Sequence, residues 1–211
     1  MSIAQQVKEY IDSHPSVKNC LKQDLINFSS LSRQIASELK LGNQSSFDAI
    51  LVALRRFQQK MSSSSDFDAK IKKVLAGSKL EIETGICVCV LSQKISDSAL
   101  EKLLSEIKES NETYHLIHGS HTITIYTAES NSQKFRDIFG SHVLYTKSKL
   151  IQINLRTNPE IMKTQGVMAL VFSLLGENNI NVVDCITSWT DNILIVNKKD
   201  VTKCIELLQF K

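Results

Sequence analysis

The hydrophobic period of the sequence changes near residue 78, and this change limits the possible folds more than any other feature. Before it, apolar residues recur at helical spacing; after it, they alternate with polar residues. The alternating positions within Leu80–Leu91 predict a strand with one shared face, made of Leu80, Ile82, Thr84, Ile86, Val88 and Val90. The sequence therefore predicts an α+β protein, with an all-α domain at residues 1–77 and strands only after it.

Residues 1–77 are expected to form several short helices. The core-facing positions at helical spacing are Ile3, Val7, Tyr10, Ile11, Val17, Cys20, Leu21, Leu31, Ile35, Leu39, Phe47, Ile50, Leu51, Leu54 and Phe57. His14-Pro15 predicts the end of the first helix, Gly42 the end of the third, and Ser45 or Ser46 the cap of the fourth. Residues 61–65 predict a flexible joint before a last short helix at 66–75.

Residues 78–211 repeat one order of elements. A strand, a helix at 97–108, a hairpin at 113–126 and a helix at 130–139 are followed by the same series, with its second helix after Asp200. Two βαββα units in series predict tandem ferredoxin-like modules, the first at 78–141 and the second at 142–211.

The hairpin of the second module is apolar on both faces. When its strands are paired about Thr190-Asp191, Ile186 lies opposite Ile195 and Cys185 opposite Val196. Helices cover only one face of such a sheet. The other face is expected to meet the other module or a second chain, which favours a homo-oligomer.

Composition excludes several classes of protein. No stretch is long and apolar enough to cross a bilayer, and the first residues lack a signal-peptide pattern, so a cytoplasmic protein is expected. The five cysteines form no CxxC pair and are interpreted as buried hydrophobes. Residues 1–77 carry 11 Lys and Arg against 7 Asp and Glu, whereas the rest carries 14 against 15. The basic excess therefore lies in the helical part.

Residues 29–60 resemble a helix-turn-helix. Donors that could meet phosphates or bases follow one another late in the second helix, at Arg55, Arg56, Gln59 and Lys60. Basic residues are also expected there because of the helix dipole alone. DNA binding and binding of a partner protein both remain open for this domain.

The segment 158–188 is the most specific part of the sequence. Gly166-Val167 precedes a run of apolar residues at 169–175, and Asn179-Ile-Asn-Val182 leads into the next strand. This pattern resembles the ACT domain, the amino-acid-sensing module of aspartokinases and related regulators, and the likeness extends over 149–210. It implies tandem ACT modules that share strands, as in the aspartokinase and arginine-sensor branch. The first module matches in element order but has Lys94–Asp97 where the family has a glycine.

The resemblance and the chemistry of helix ends indicate a ligand site in the second module. A glycine before a helix lets a carboxylate approach unpaired backbone N–H groups, and Asp191 could pair with an ammonium group. The predicted ligand-binding residues are Gln165, Gly166, Val167, Met168, Asn181, Val182, Ser188 and Asp191. The alternative is that Gly166 and Asp191 are ordinary turn residues.

Catalysis and metal binding have little support in the sequence. It has no nucleophile motif and no phosphate-binding glycine loop, so no catalytic residue and no cofactor are predicted. His118 and His121 flank a turn while His115 points to the opposite face, so the three histidines are not expected to hold a metal. The chain is interpreted as a non-catalytic regulatory protein that senses a small ligand, an amino acid effector, through the tandem ACT modules. Its output would be DNA binding or, alternatively, contact with an amino-acid biosynthetic enzyme.

Overall fold

The computed structural model describes residues 1–41, 44–61 and 66–210, and divides the chain into two compact units, Met1–Ala69 and Lys70–Lys211. The boundary falls earlier than the predicted one after residue 77, because Ile71, Val74 and Leu75 pack in the core of the second unit. The predicted helix end at Gly42, the side chain of Ser45 and the joint at 62–65 lie outside the described residues.

The first unit is helical, as predicted. Its helices are α1 Ile3–Ser13, α2 Pro15–Lys22, α3 Phe28–Glu38 and α4 Gln44–Met61, and α5 Asp66–Ala76 spans the boundary. The Ser2 hydroxyl caps α1 by accepting from the Gln5 N–H, and Asn27 Oδ1 caps α3 by accepting from the Ser30 N–H. The buried core consists of Val7, Tyr10, Ile11, Leu21, Leu31, Ile35, Ile50 and Leu54.

The second unit is one antiparallel sheet with helices. Its elements are β1 Lys79–Ser92, α6 Asp97–Glu109, β2 His115–His118, β3 Thr122–Ala128, α7 Ser132–Phe139, β4 Val143–Arg156, α8 Val167–Glu177, β5 Val182–Ser188, β6 Asp191–Asn197 and α9 Val201–Leu208. The strand order is β2-β3-β1-β4-β6-β5. This confirms the two predicted βαββα series, and it joins them into a single sheet.

The two long strands are shared between the modules. β1 pairs with β3 through Ile86–Ser92 and with β4 along nearly its whole length, while β4 pairs with β6 through Leu150–Arg156. Helices α6 and α7 pack on Cys87, Cys89 and Leu91, and helices α8 and α9 on the second half of β4 and on β6. Each module thus borrows part of a strand from the other.

The predicted single face of β1 was wrong, because a bulge at Gly85 reverses the alternation. Leu80 and Ile82 lie opposite Leu155 and Ile153, on the face covered by helices. Beyond the register shift between Thr84 and Ile86, the even-numbered residues Ile86 and Val88 lie on the other face. Gly85 has φ +70°, a conformation that glycine adopts without the steric cost of a Cβ.

The helix-free faces of the two modules pack on each other. Their buried contact residues are Ile86, Val88 and Tyr126 from the first module and Leu150, Ile193 and Ile195 from the second. The prediction that the second face must meet another module is confirmed within one chain. The apolar face that motivated a homo-oligomer is therefore already covered, and the oligomer stays a prediction without that support.

The pairing of the last hairpin differs from the predicted one by two residues. Ile186 lies opposite Ile193, and Ser188 opposite Asp191, so the turn is Trp189-Thr190 rather than Thr190-Asp191. Trp189 adopts φ +54°, which is uncommon for a bulky residue and was not expected from the sequence. A shift of two preserves the face on which each side chain lies.

No helix within the described ranges is long and apolar enough to cross a membrane.

Candidate functional site

A groove of about 440 Å³ lies beside the contact between the two modules, and we call it the interface groove. It is lined by Glu81, Ile82, Glu83, Thr113, His115, Gln152, Asn154, Asp191 and Ile193. Thr113 and His115 come from the first module, and Asn154 and Asp191 from the second. Its size is within the range of about 300–1,000 Å³ that is typical of small-molecule sites.

Strand register brings the polar side chains of the groove together. Glu81 lies opposite Asn154, and Glu83 lies opposite Gln152, on the shared strands β1 and β4. Asn154 in turn lies opposite Ile193 on β6. Residues directly opposite in an antiparallel pair share a face, so these side chains line the helix-free side of the sheet.

Side-chain amides hold the carboxylates in place. Asn154 Nδ2 donates to Asp191 Oδ1 at 3.0 Å, and Gln152 Nε2 lies 3.5 Å from Glu83 Oε2. His115 Nε2 is 3.0 Å from Gln152 Oε1, a contact that crosses from one module to the other. Asn154 Oδ1 is buried and has no hydrogen-bond partner among the described residues.

A second polar contact joins the modules next to the groove. The Tyr126 hydroxyl donates to Asp184 Oδ2, and Asp184 Oδ1 accepts from the Cys185 backbone N–H. Tyr126 is 2% exposed and lies opposite His115 in the β2–β3 pair. Burial, followed by the hydrogen bond to Asp184, raises the pKa of Tyr126 well above its usual value. The hydroxyl therefore stays protonated and acts as a donor.

The charge of the groove is negative. It carries the carboxylates of Glu81, Glu83 and Asp191, and among the described residues no lysine or arginine lines it. Arg156 is 3.6 Å from Glu81, but both side chains are more than half exposed, so this ion pair contributes little. Glu83 and Asp191 are half-buried. An arrangement of this kind favours cations over anions.

The predicted site at the start of α8 has the expected backbone. Gly166 precedes the helix with φ +80°, and Gln165 and Gly166 are exposed. The Val167 side chain, in contrast, is buried in the core, and Met168 packs against it. The Val167 side chain anchors α8 to the sheet, so the predicted ligand contact of this residue can involve only its backbone N–H, and it stays a prediction.

The structure does not bring all of the predicted ligand residues together. Ser188 pairs with Asp191 at one end of β5, while Asn181 and Val182 lie at the other end. The two ends are about 20 Å apart, because six residues of extended strand separate Val182 from Ser188. In addition, α8 covers the face of the sheet opposite to the one on which Asp191 lies. Of the predicted set, Asp191 alone lines the interface groove.

The other groove residues were missed, although the sequence carries a signal for them. Glu81 and Glu83 interrupt the apolar strand β1 at alternate positions, and Gln152 and Asn154 do the same in β4. Four polar residues on one face of two otherwise apolar strands indicate a polar site on that face.

The donors predicted for DNA lie on the surface of the first unit. Arg55, Arg56, Gln59 and Lys60 are all exposed, and α4 is anchored by Ile50 and Leu54 on its other side. The four side chains are therefore accessible on the surface of the first unit.

The histidines and cysteines do not form a metal centre in the described part of the chain, where no three His, Cys, Asp or Glu side chains cluster suitably. His118 lies opposite Ile123 and on the face opposite to His115, as expected for residues three apart on a strand. The five cysteines are free. Burial raises the pKa of the Cys87 thiol to about 11 and that of the Cys89 thiol to about 12.

No known family model matches this chain, and no curated protein sequence matches it either. Among solved structures, aspartate kinase from Clostridium acetobutylicum matches with a TM-score of 0.51 and 13% identity, over 62% of this chain and 33% of that chain. The chain thus matches about a third of that enzyme's length. At this identity the match shows the fold alone, and it supports the ACT-domain fold that residues 158–188 resemble.

Two further structures are similar at lower scores. Escherichia coli aspartokinase III in complex with aspartate and ADP has a TM-score of 0.48 and 14% identity, over 61% of this chain and 32% of that chain. The ligand-free regulatory subunit of aspartate kinase from Thermus thermophilus has a TM-score of 0.47 and 10% identity, over 61% of this chain and 92% of that chain.

Proposed function

We propose that this chain is a non-catalytic regulatory protein that senses a small amino acid through its two ACT-like modules. The observation that carries the proposal is the interface groove, an open groove of about 440 Å³ beside the apolar contact between the modules. A concave surface on which a few polar side chains of both modules converge is typical of a small-molecule site, and this supports the proposal.

A ligand in the groove would touch both modules at once. His115 and Thr113 belong to the first module, and Asn154 and Asp191 to the second. Such a ligand stabilises the packed arrangement of the two modules by its differential affinity for that arrangement. Regulation of this kind needs no reacting group, which agrees with the absence of a catalytic motif from the sequence.

The α8 N-terminus remains a second proposed contact. Its exposed Gly166 leaves backbone N–H groups accessible to a carboxylate. The proposed output lies in the first unit, with two alternatives. In one, Arg55, Arg56, Gln59 and Lys60 contact DNA; in the other, the unit binds an amino-acid biosynthetic enzyme.

A thermal-shift screen with the twenty amino acids tests the sensing function. A ligand at 100 times its dissociation constant should raise the free energy of unfolding by about 2.7 kcal/mol. Thr113→Arg should abolish this stabilisation, because it extends a long side chain into the groove. Thr202→Arg is the matched control, since Thr202 is exposed on α9 and away from the groove. Equal shifts in both variants would place the ligand elsewhere, and no shift with any amino acid would refute the sensing function.

A further inference from the structure

We propose that the first half of β4 binds an extended acidic peptide of a partner protein as an added strand. This inference goes beyond the proposed function, because it assigns a protein-binding surface to the second unit. β4 pairs with β1 along one side, but it pairs with β6 on its other side only from Leu150 onwards. Residues 143–148 therefore have a neighbouring strand on one side only, and we call their open side the β4 edge.

The backbone of the β4 edge has hydrogen-bonding groups to offer. In an edge strand, every second residue directs its N–H and C=O away from the neighbouring strand. Residues 144–148 belong to the ladder with β1, and within the described ranges no backbone hydrogen bond joins them to another segment. An extended peptide can pair with such groups, and these main-chain bonds supply the affinity in β-strand addition.

Two large apolar side chains are exposed at the β4 edge. Leu144 is 58% exposed and Tyr145 is 49% exposed. Leu144 has no opposite residue in β1, because the register shifts between Val90 and Leu91. An added strand would cover part of both side chains, and cross-strand contacts of aromatic and aliphatic residues stabilise a sheet.

The side chains around the β4 edge are cationic on both faces of the strand. On the face covered by helices, Arg136 Nη2 donates to Thr146 Oγ1 at 3.2 Å. On the other face, Lys147 Nζ donates to Asn197 Oδ1 at 2.9 Å. Lys149 is exposed two residues further along β4. None of these three cations forms an ion pair in the part of the chain that the structure describes. Carboxylates on an added strand would provide the missing counter-charges.

Charge decides between an acidic partner and a second copy of this chain. Two copies paired through the β4 edge would bring their lysines together, and lysines on an edge strand oppose such pairing. An acidic strand meets the same lysines with the opposite charge. Other strand edges differ from this one: β2 and β5 contain no lysine or arginine, and the first half of β1 carries Glu81 and Glu83.

Fluorescence anisotropy with labelled peptides tests this inference on the full chain. The probe is a peptide of about seven residues in which glutamate and valine alternate, which matches the length of the β4 edge. One control peptide has lysine in place of glutamate. The other is fully N-methylated, so it keeps the carboxylates but loses the N–H donors of a strand. We expect both controls to bind at least about tenfold more weakly than the probe.

Variants that remove charge locate the binding at the β4 edge. The double variant Lys147→Gln, Lys149→Gln should weaken binding of the acidic probe by about three- to tenfold, as expected for two partly exposed ion pairs. The matched control is Lys79→Gln with Lys163→Gln. Both of these lysines are exposed, and they lie at the opposite end of the β1–β4 pair. Circular dichroism of each variant checks that the fold is retained.

The outcomes either support the inference or overturn it. Binding that needs both the peptide N–H groups and the pair Lys147 and Lys149 supports it. Equal binding of the N-methylated peptide overturns it, because charge alone then suffices, and unchanged binding by the double variant places the peptide elsewhere. A single-stranded DNA oligonucleotide that binds more tightly than the probe and needs the same lysines would identify a nucleic-acid surface instead.

A second copy of the chain is tested by sedimentation. If the parent protein is a dimer that Leu144→Asp converts to a monomer, the β4 edge is filled by a second copy and the inference is overturned. If the acidic probe does not bind at millimolar concentration, the inference is also overturned, and the proposed sensing of an amino acid is unaffected.

Discussion

Substitution of Tyr126 by phenylalanine isolates the polar contact between the two modules. Tyr126 is 2% exposed, and its ring packs among Ile86, Val88 and Ile195. Phenylalanine keeps the ring and leaves no large cavity. The change therefore removes one group, the hydroxyl that donates to Asp184.

The magnitude follows from the state of the acceptor. Asp184 is half-buried and keeps the Cys185 backbone N–H as a donor at 2.7 Å, so the carboxylate loses one of two protein donors. A hydrogen bond to a charged group contributes about 1.5–3 kcal/mol. We expect Tyr126→Phe to lower the free energy of unfolding of the second unit by about 2 kcal/mol.

Urea unfolding followed by tryptophan fluorescence measures this effect in the correct unit, because the single tryptophan, Trp189, lies in the second unit. Far-UV circular dichroism of the same samples reports on both units. Tyr145→Phe is the matched control, since Tyr145 is 49% exposed and should change stability by less than about 0.5 kcal/mol.

The free energy of unfolding at alkaline pH is a second test of the same contact. The folded-state pKa of Tyr126 is raised above the usual value for tyrosine, first by burial and then by the hydrogen bond to Asp184. A raised pKa contributes stability that is present below the unfolded-state value and is lost as pH rises above it. Above about pH 10, the free energy of unfolding of the parent protein should therefore fall more steeply with pH than that of the Tyr126→Phe variant. Equal stability of the two proteins at neutral pH would refute the contact.

Three further outcomes are expected. Gly166→Val places a β-branched residue at φ +80°, so it should lower the free energy of unfolding by about 1–3 kcal/mol and abolish carboxylate binding at the start of α8. If calorimetry shows the same affinity for the variant as for the parent, the ligand does not bind at Gly166. The double variant Arg55→Ala, Arg56→Ala should change the free energy of unfolding by less than about 0.5 kcal/mol. If α4 binds DNA, the variant should also reduce the slope of log affinity against log salt concentration by at most about two in anisotropy titrations. If the parent protein does not bind DNA at low salt, the DNA alternative is excluded. Brief treatment with iodoacetamide, followed by mass spectrometry of the modified peptides, should modify the half-buried Cys20 before Cys89. Burial raises the pKa of the Cys89 thiol to about 12, which leaves little reactive thiolate. Early modification of Cys89 would contradict its burial.

The order of elements could be predicted because it depends on local sequence. Helical spacing and two-residue alternation assign most of the helices and strands, and the resemblance at 158–188 adds the module type. The bulge at Gly85 was missed because one inserted residue leaves the composition of a strand unchanged while it reverses the faces. The turn at Trp189 was missed because a tryptophan at positive φ contradicts the usual turn preferences.

The groove was harder to predict because its residues come from distant parts of the chain. Glu83 and Gln152 are neighbours only when β1 pairs with β4, and His115 reaches Gln152 only when the modules face each other. Periodicity gives the face on which a side chain lies but not which strands are adjacent. Asp191 was predicted as a site residue because it was assigned to the turn; in the structure it is the first residue of β6, directly after the turn.

The sharing of β1 and β4 has a consequence for how the chain is synthesised. The first half of β1, Lys79–Thr84, has its partner in the second half of β4, so it emerges from the ribosome long before that partner exists. Co-translational folding generally proceeds from the N-terminus, one domain at a time. Here the first half of the nascent β1 leaves a strand edge unpaired throughout the translation of residues 93–150, and unpaired edges promote aggregation. Both modules must therefore fold together and late, and a fragment cut between α7 and β4 should require a chaperone or precipitate.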